Sequence, residues 1–417
     1  MRRYTTGTSQ ALRITKCAGI VLAGAMVIAV LVGCSQATTS AVKSEAKAEL
    51  SKIESELGTV PVSSEAFAED EPTGTVATTG TSPAKKKSAA PKSGPFGPVI
   101  NYASGYDPAI AGVESANLLI EAHMNEGRFL YTVNTVDPNN ARVNWGPQQD
   151  ASKLVGRAVS PAISVSNGGI VALAWPENNG GQTGNLYTAI GTVYSQSIDF
   201  GGSQWFAYQS NGTPGPGYYP SVAISRDGKT VVVAYQDSGV YTGNPVHLWY
   251  RVGSVDIQNK RVNWGTARTF ADGWAPSISI NDRNQLVCVH NSWQKGTGMW
   301  YEVGTLNPAA QTVSWSSAVS FNQGNYYTSV ALGDVPPGLD QTTLVCVYPS
   351  RLGNHEFWVE QGTLGAPPAS SVNWATSWDR GTMGAYPKVT YAYSNTFIEV
   401  HEAWNAASNA LYYSVSQ

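Results

Sequence analysis

The sequence is poor in charge. Only 13 % of its 417 residues are Asp, Glu, Lys or Arg, and 29 acids against 26 bases leave a formal charge of −3. That balance offers no basic face to a phosphate backbone, so nucleic acid is not an expected partner. Cysteine is scarce too. There are four, Cys17, Cys34, Cys288 and Cys346, and no Cys-x-x-Cys metal motif. A nucleophile elbow and a phosphate-binding glycine loop are also missing, and no cofactor or metal is expected. The apolar run from Ala18 to Val32 has about 15 residues, short of the ~20 that a spanning helix needs. Past residue 94 there is no helical periodicity.

The short apolar run has a different use. Arg2, Arg3, Arg13 and Lys16 precede it without an acid among them, and it ends in Leu31-Val32-Gly33-Cys34. A basic segment, a short apolar core and small residues before a cut make a secretory signal over residues 1–34. The Leu-Val-Gly-Cys tetrapeptide resembles the lipobox of bacterial lipoproteins. The resemblance implies that Cys34 becomes the acylated N-terminus of an exported chain, held at the membrane by its lipid. Each buried methylene contributes roughly 0.8 kcal/mol to that hold. Ser35 implies the outer membrane if the source has two. Residues 35–94 are rich in Ser, Thr, Ala, Lys, Glu and Pro and hold no Trp or Tyr. Such a composition cannot bury enough apolar surface to offset chain entropy and predicts a disordered tether. Val42, Ala46, Leu50, Ile53 and Leu57 recur at helical steps, so 40–57 is a candidate short helix.

From about residue 95 to Gln417 the chain repeats itself. One copy reads Pro220-Ser-Val-Ala-Ile224, Val231-Val-Val-Ala-Tyr235, His247-Leu-Trp-Tyr-Arg-Val-Gly253 and Val262-Asn-Trp-Gly265. The first of these segments recurs at Pro108, Pro161, Pro220, Pro276, Thr328 and Pro387, and the Trp-bearing one at Trp145, Trp264, Trp315 and Trp374. Each unit reads as four short strands divided by Gly, Asn, Asp and Pro turns. Repeated radially, such units form an all-β propeller of six four-stranded blades. The last copy stops after its third strand. Phe96-Gly-Pro-Val-Ile-Asn-Tyr102 precedes the first copy as a fourth strand precedes the others. The N-terminal strand is therefore expected to complete the last blade and close the ring, removing free edges.

The Ser-Val-Ala-Ile-Ser-Arg-Asp-Gly-Lys segment at 221–229 resembles blades of bacterial Tol-type propellers, whose first strand lines the central channel. Tyr-Arg-Val-Gly and Val-Asn-Trp resemble repeats of lectin-like propellers on bacterial surface and secreted proteins. Ser197-Ile-Asp199-Phe-Gly201, with Trp205 one residue late, resembles the Asp box of sialidase propellers, which lies away from catalysis. No arginine cluster, Tyr–Glu pair or acid dyad is evident to complete a sialidase reading.

The loops leading into each first strand, and those after each second strand, fall on one face. They hold Tyr106, Tyr218, Tyr219, Trp274, Tyr326, Tyr327 and Tyr386, then His290, Asn291, Trp293, His401 and Trp404, together with Asp107 and Glu402. Flat rings cover apolar faces of a sugar, and amides and acids bond its hydroxyls. The same rings could equally pack between blades. Glu121 and Glu399 each share a strand face with a histidine two residues on, and each is expected to hold that histidine. Cys288 and Cys346 occupy one slot of adjacent blades, too far apart for a disulfide. The reading is a surface-tethered, carbohydrate-binding, lectin-like propeller, more a binding module than an enzyme. The alternatives are a polysaccharide-active hydrolase or lyase and a scaffold for protein partners.

If Cys34 is the lipid anchor, labelled fatty acid enters the wild-type chain and not Cys34→Ala; equal labelling of the two would refute the assignment.

Overall fold

A computed structural model describes residues 95–416, apart from 114, 157–159, 178–184, 208–218, 238–245, 293–297, 323–326, 350–355 and 404–408. The segments read as signal and tether, with the candidate helix at 40–57, lie outside the described residues.

The expected architecture is what is found. Six antiparallel blades follow one another, each running from the channel outwards in sequence order. In blade 3 these strands are Ser221–Ile224, Thr230–Gln236, His247–Asp256 and a fourth strand in two pieces, Arg261–Trp264 and Arg268–Asp272. The split fourth strand recurs in blades 1, 2 and 4. Glycine accounts for the break in blade 1, where a Cβ on Gly146 would stand 2.2 Å from the Val133 carbonyl oxygen. Blades 5 and 6 share one continuous strand, Val372–Ala392, which is the outer strand of one and then the inner strand of the next. The ring closes as the termini imply. Ile100–Ser104 pairs antiparallel with Ala410–Val415, and Phe96 bridges to Ser416.

The second strands of blades 2 to 4 are apolar runs because they are covered on both sheet faces. Ile170–Pro176, Thr230–Gln236 and Gln285–Asn291 are buried along their whole length. The core is correspondingly divided into six slabs, one between each pair of neighbouring blades. Towards the rim, tyrosines of the third strand reach across these junctions. Tyr250 Oη donates to the Val313 carbonyl at 3.1 Å, and Tyr301 Oη lies 3.2 Å from the Val372 amide. At the axis, serine and threonine hydroxyls accept bonds from main-chain amides of the next blade. They are Ser164 from Ile224, Ser221 from Ile278, Ser277 from Val330, Ser329 from Val389, and Thr390 from Gly112, at 2.9–3.1 Å.

The closing segment is anchored beyond its ladder. Phe96 is 3 % exposed in the slab between blades 5 and 6, and Arg380 Nη1 donates to its carbonyl at 2.8 Å. Tyr102 stacks on Trp145 of blade 1 with centroids 4.3 Å apart. Phe96→Ala therefore removes a buried ring from the closure and should cost about 3–5 kcal/mol in urea unfolding. A loss under about 1 kcal/mol, the range of an ordinary surface substitution, would show that the closure does not depend on it.

Candidate active site

One position recurs at the channel mouth in every blade: the residue just before the first-strand proline or Thr328. It is Asp107, Ser160, Tyr219, Ala275, Tyr327 and Tyr386 in blades 1 to 6, with φ of 53°, 45°, 60°, 47°, 70° and 51°. An L-residue in this left-handed region is strained by roughly 1–3 kcal/mol, and such residues gather at functional sites. Here the strain has a local cause. The chain arrives from the rim and must turn sharply into the inner strand, and in blades 1, 4 and 6 the strand ladder shifts register at this point.

The turn aims side chains over the axis. Tyr219 Oη and Tyr327 Oη are 3.2 Å apart, and the rings of Tyr327 and Tyr386 stand 4.3 Å centroid to centroid. Burial pushes the phenols of Tyr327 and Tyr386 up. Below this tyrosine cluster is a channel cavity of about 70 Å³, bordered by Ser160, Tyr219, Ala275, Tyr327 and Lys388. It has room for a few waters but not for a sugar, whose pockets run to several hundred Å³. Any glycan must therefore engage the mouth from outside.

The opposite side of the mouth is acidic. Ser160 donates its main-chain N–H to Asp107 Oδ2 at 3.1 Å, and the Asp107 N–H donates to Glu402 Oε1. The two carboxyl residues are 295 positions apart and meet only because blade 6 closes against blade 1. Burial raises the Glu402 carboxyl to about 7, and the neighbouring Asp107 charge adds to the shift, while the Asp107 N–H opposes it. Asp107 is also raised by burial, against the lowering effects of Ser160 and of the Lys388 ammonium. Burial in turn holds Lys388 below its usual range, against the Asp107 charge. The sequence gives no sign of this meeting, because the two residues occupy different slots of their blades.

The other candidates scatter. Tyr219 and Tyr386 are in the mouth cluster. Tyr106 is half-buried against the slab between blades 1 and 2. Trp274 is half-buried and pairs in register with Asn291, itself buried. His290 and His401 do not line the loop face. Each is buried, His290 Nε2 lying 3.0 Å from Glu302 Oε1 and His401 Nδ1 2.7 Å from Glu399 Oε1. His123 Nδ1 sits likewise 3.0 Å from Glu121 Oε1, so Glu121 and Glu399 each hold a histidine as expected. Tyr218, Trp293, Tyr326 and Trp404 lie outside the described residues. Cys288 and Cys346 are free and buried, and burial pushes both thiols up. Lys388 was missed, and Tyr327 was named among the loop rings without being singled out. Their signal was available as departures from the repeat, a lysine where other copies hold Ser or Ala and a third aromatic in the residue before the first strand.

No family model matches the chain, and no curated protein matches it in sequence. Its fold does match solved structures. A NanB sialidase from Streptococcus pneumoniae aligns with a TM-score of 0.52 at 10 % identity, over 78 % of this chain and 71 % of that one. The Hadza microbial sialidase Hz136 aligns at 0.48 with 14 % identity, over 75 % of this chain and 66 % of its own. A Penicillium chrysogenum alpha-L-arabinanase aligns at 0.48 with 10 % identity, over 77 % and 98 %. The chain thus spans about two thirds of the length of the Hadza sialidase. The matched propellers include the NanB sialidase, so the expectation of a binding module rather than an enzyme loses its ground: the propeller fold does not favour it. At such identities the likeness establishes the propeller fold, and the activity has to be argued from this chain's own residues.

Proposed function

We propose that the chain is a glycoside hydrolase acting at the channel mouth, with Glu402 as general acid and Asp107 as the opposing carboxylate. The observation that carries this reading is the choice of residue at Glu402. The matching place in blade 3 is Gln236, whose Oε1 accepts the Ala275 N–H at 2.8 Å just as Glu402 Oε1 accepts that of Asp107. A neutral amide suffices to hold the strained turn. An acid at the same place adds a proton that can be donated near neutral pH, beside a second carboxyl.

Glycoside hydrolysis uses such a pair. One carboxylic acid gives its proton to the glycosidic oxygen as the C–O bond breaks, a carboxylate stabilises the positive charge that develops at the anomeric carbon, and water then bonds to that carbon and gives up a proton, which restores the acid. Glu402, raised to about 7, suits the first role. Tyr219, Tyr327 and Tyr386 offer ring faces and hydroxyls to the sugar beside the bond. Carbohydrate is the partner on this reading, and acylated Cys34 holds the chain at the outside of the membrane.

The test uses a panel of polysaccharides and aryl glycosides with reducing-sugar and phenol release as the readout. Wild type should cleave at least one, with activity falling as pH rises through about 7. Glu402→Gln keeps the hydrogen bond, as Gln236 does, and should lose 10²–10⁴-fold in kcat/KM while remaining folded. Retention on a glycan array without cleavage by wild type would favour the lectin-like reading instead. The same variant has a stability signature. Because the folded Glu402 carboxyl titrates about 7 and the ordinary value is 4.5, the unfolded chain releases its proton first. Stability falls as pH rises across that window. Glu402→Gln should remove this slope in urea titrations, and an unchanged slope would disprove the raised carboxyl.

A further inference from the structure

The channel cavity beneath the tyrosines is walled in layers. Ile110, Ile163, Val222, Ile278, Val330 and Val389, one from each blade, border it and also border the next cavity down the channel, so they form an apolar floor. Tyr219 and Tyr327, joined through their hydroxyls, form the roof. Between the two lie Ser221, Ser277, Ser329, Thr328 and Lys388, from blades 3 to 6. No Asp or Glu is among the described residues that line the cavity, and Lys388 is the one basic residue there.

These five residues are rich in donors. Ser221, Ser277 and Ser329 each accept a main-chain amide from the following blade, at 3.0, 3.1 and 3.1 Å, which leaves each hydroxyl its own proton to give. Thr328 Oγ1 has no hydrogen-bond partner although the residue is 2 % exposed. It stands where the other five blades have proline, and Lys388 stands where they have serine or alanine. Both departures from the repeat therefore border the same cavity. No ion pair reaches Lys388 among the described residues. Asp107 is outside the wall, bonded instead to the Ser160 N–H. A cation taken out of bulk water needs a counter-charge or full hydration. Water would satisfy the hydroxyls here and leave the charge unbalanced, and a metal cation would meet an ammonium with no carboxylate in the wall.

We propose that this cavity is a binding site for a small monovalent anion, a halide or a compact carboxylate, held by the Lys388 ammonium and the hydroxyls of Thr328, Ser221, Ser277 and Ser329. The size of the cavity, about 70 Å³, sets the size of the ion: chloride is little larger than the waters the space can take. Its donors come from four blades, so the site exists only in the folded ring, and the anion fastens the inner strands to one another. The site is separate from the carboxyls of the mouth and does not depend on the hydrolase reading.

The experiment uses linkage between binding and folding. Urea unfolding of the full chain is followed while sodium chloride replaces sodium gluconate at constant ionic strength, gluconate being too bulky for the cavity. A ligand held by the folded state alone multiplies the folding constant by 1 + [L]/Kd, so each tenfold rise in chloride above Kd should raise that constant about tenfold in wild type. Lys388→Met and Lys388→Gln, folded by circular dichroism, should stay within about twofold over the same series. Thr328→Val keeps the shape, loses the hydroxyl, and should need roughly tenfold more chloride or beyond for the same gain, the worth of one hydrogen bond to an ion. Running the series with formate tells a carboxylate from a halide. A wild type that responds to neither anion, or folded Lys388 variants that respond as it does, overturns the proposal. Should both lysine variants fail to fold, Thr328→Val decides alone: an unshifted curve overturns it.

Discussion

The turn from the rim into the channel is the constraint on which the site depends. In each blade the chain completes its outer strand, crosses the face of the ring and must start an inner strand almost at once. Six L-residues accept positive φ to do so, and the proline that follows most of them locks the start of the strand. The strain is held because everything after the turn is fastened. Hydroxyls tie the inner strands to one another round the axis, and apolar slabs press neighbouring blades together. Side chains at the turn consequently gather at the mouth, where Tyr219, Tyr327 and Tyr386 from three blades come within reach of one another.

Repetition provides the frame, and departure from it provides chemistry. Glutamine at the end of the second strand of blade 3 does the same mechanical work as Glu402 in blade 6. Serine after the turn does the work that Lys388 gives up. The residue at the turn itself is an aspartate only in blade 1. All three departures fall at the junction that ring closure creates. Closure is therefore more than the removal of two sheet edges: it joins the first and last repeats and with them two carboxyls 295 residues apart.

Buried acids elsewhere in the ring show what the same residue types do without such a departure. Glu121, Glu302 and Glu399 each lie beside a histidine inside a blade, and Tyr102 Oη donates to Glu121 at 2.8 Å. These pairs satisfy one another away from solvent, as buried polar groups must. Glu402 differs by sitting where the strand runs out into the mouth, half-buried and next to a second carboxyl.

Blade number, strand order, closure by the N-terminal segment and the pairing of Glu121 and Glu399 with histidines were all legible in the sequence. Each follows from local periodicity: alternation along a strand, turn residues between strands, and a fixed offset from one copy to the next. The expectations of a secretory signal and of a lipobox at Cys34 rest on composition and order alone. The meeting of Asp107 with Glu402 was not legible, although both residues and the departure at Lys388 are visible in the sequence. Aligning repeats compares equivalent slots, and equivalent slots of neighbouring blades never face each other, so the comparison hides any pair built from different slots. Nor could periodicity say which aromatic rings turn over the axis and which sink into a slab. Tyr219 and Tyr386 joined Tyr327 at the mouth, whereas His290 and His401 went inside, because a backbone dihedral at the turn and the partner across the junction set those directions. Both depend on residues far away in sequence that only the closed ring brings near.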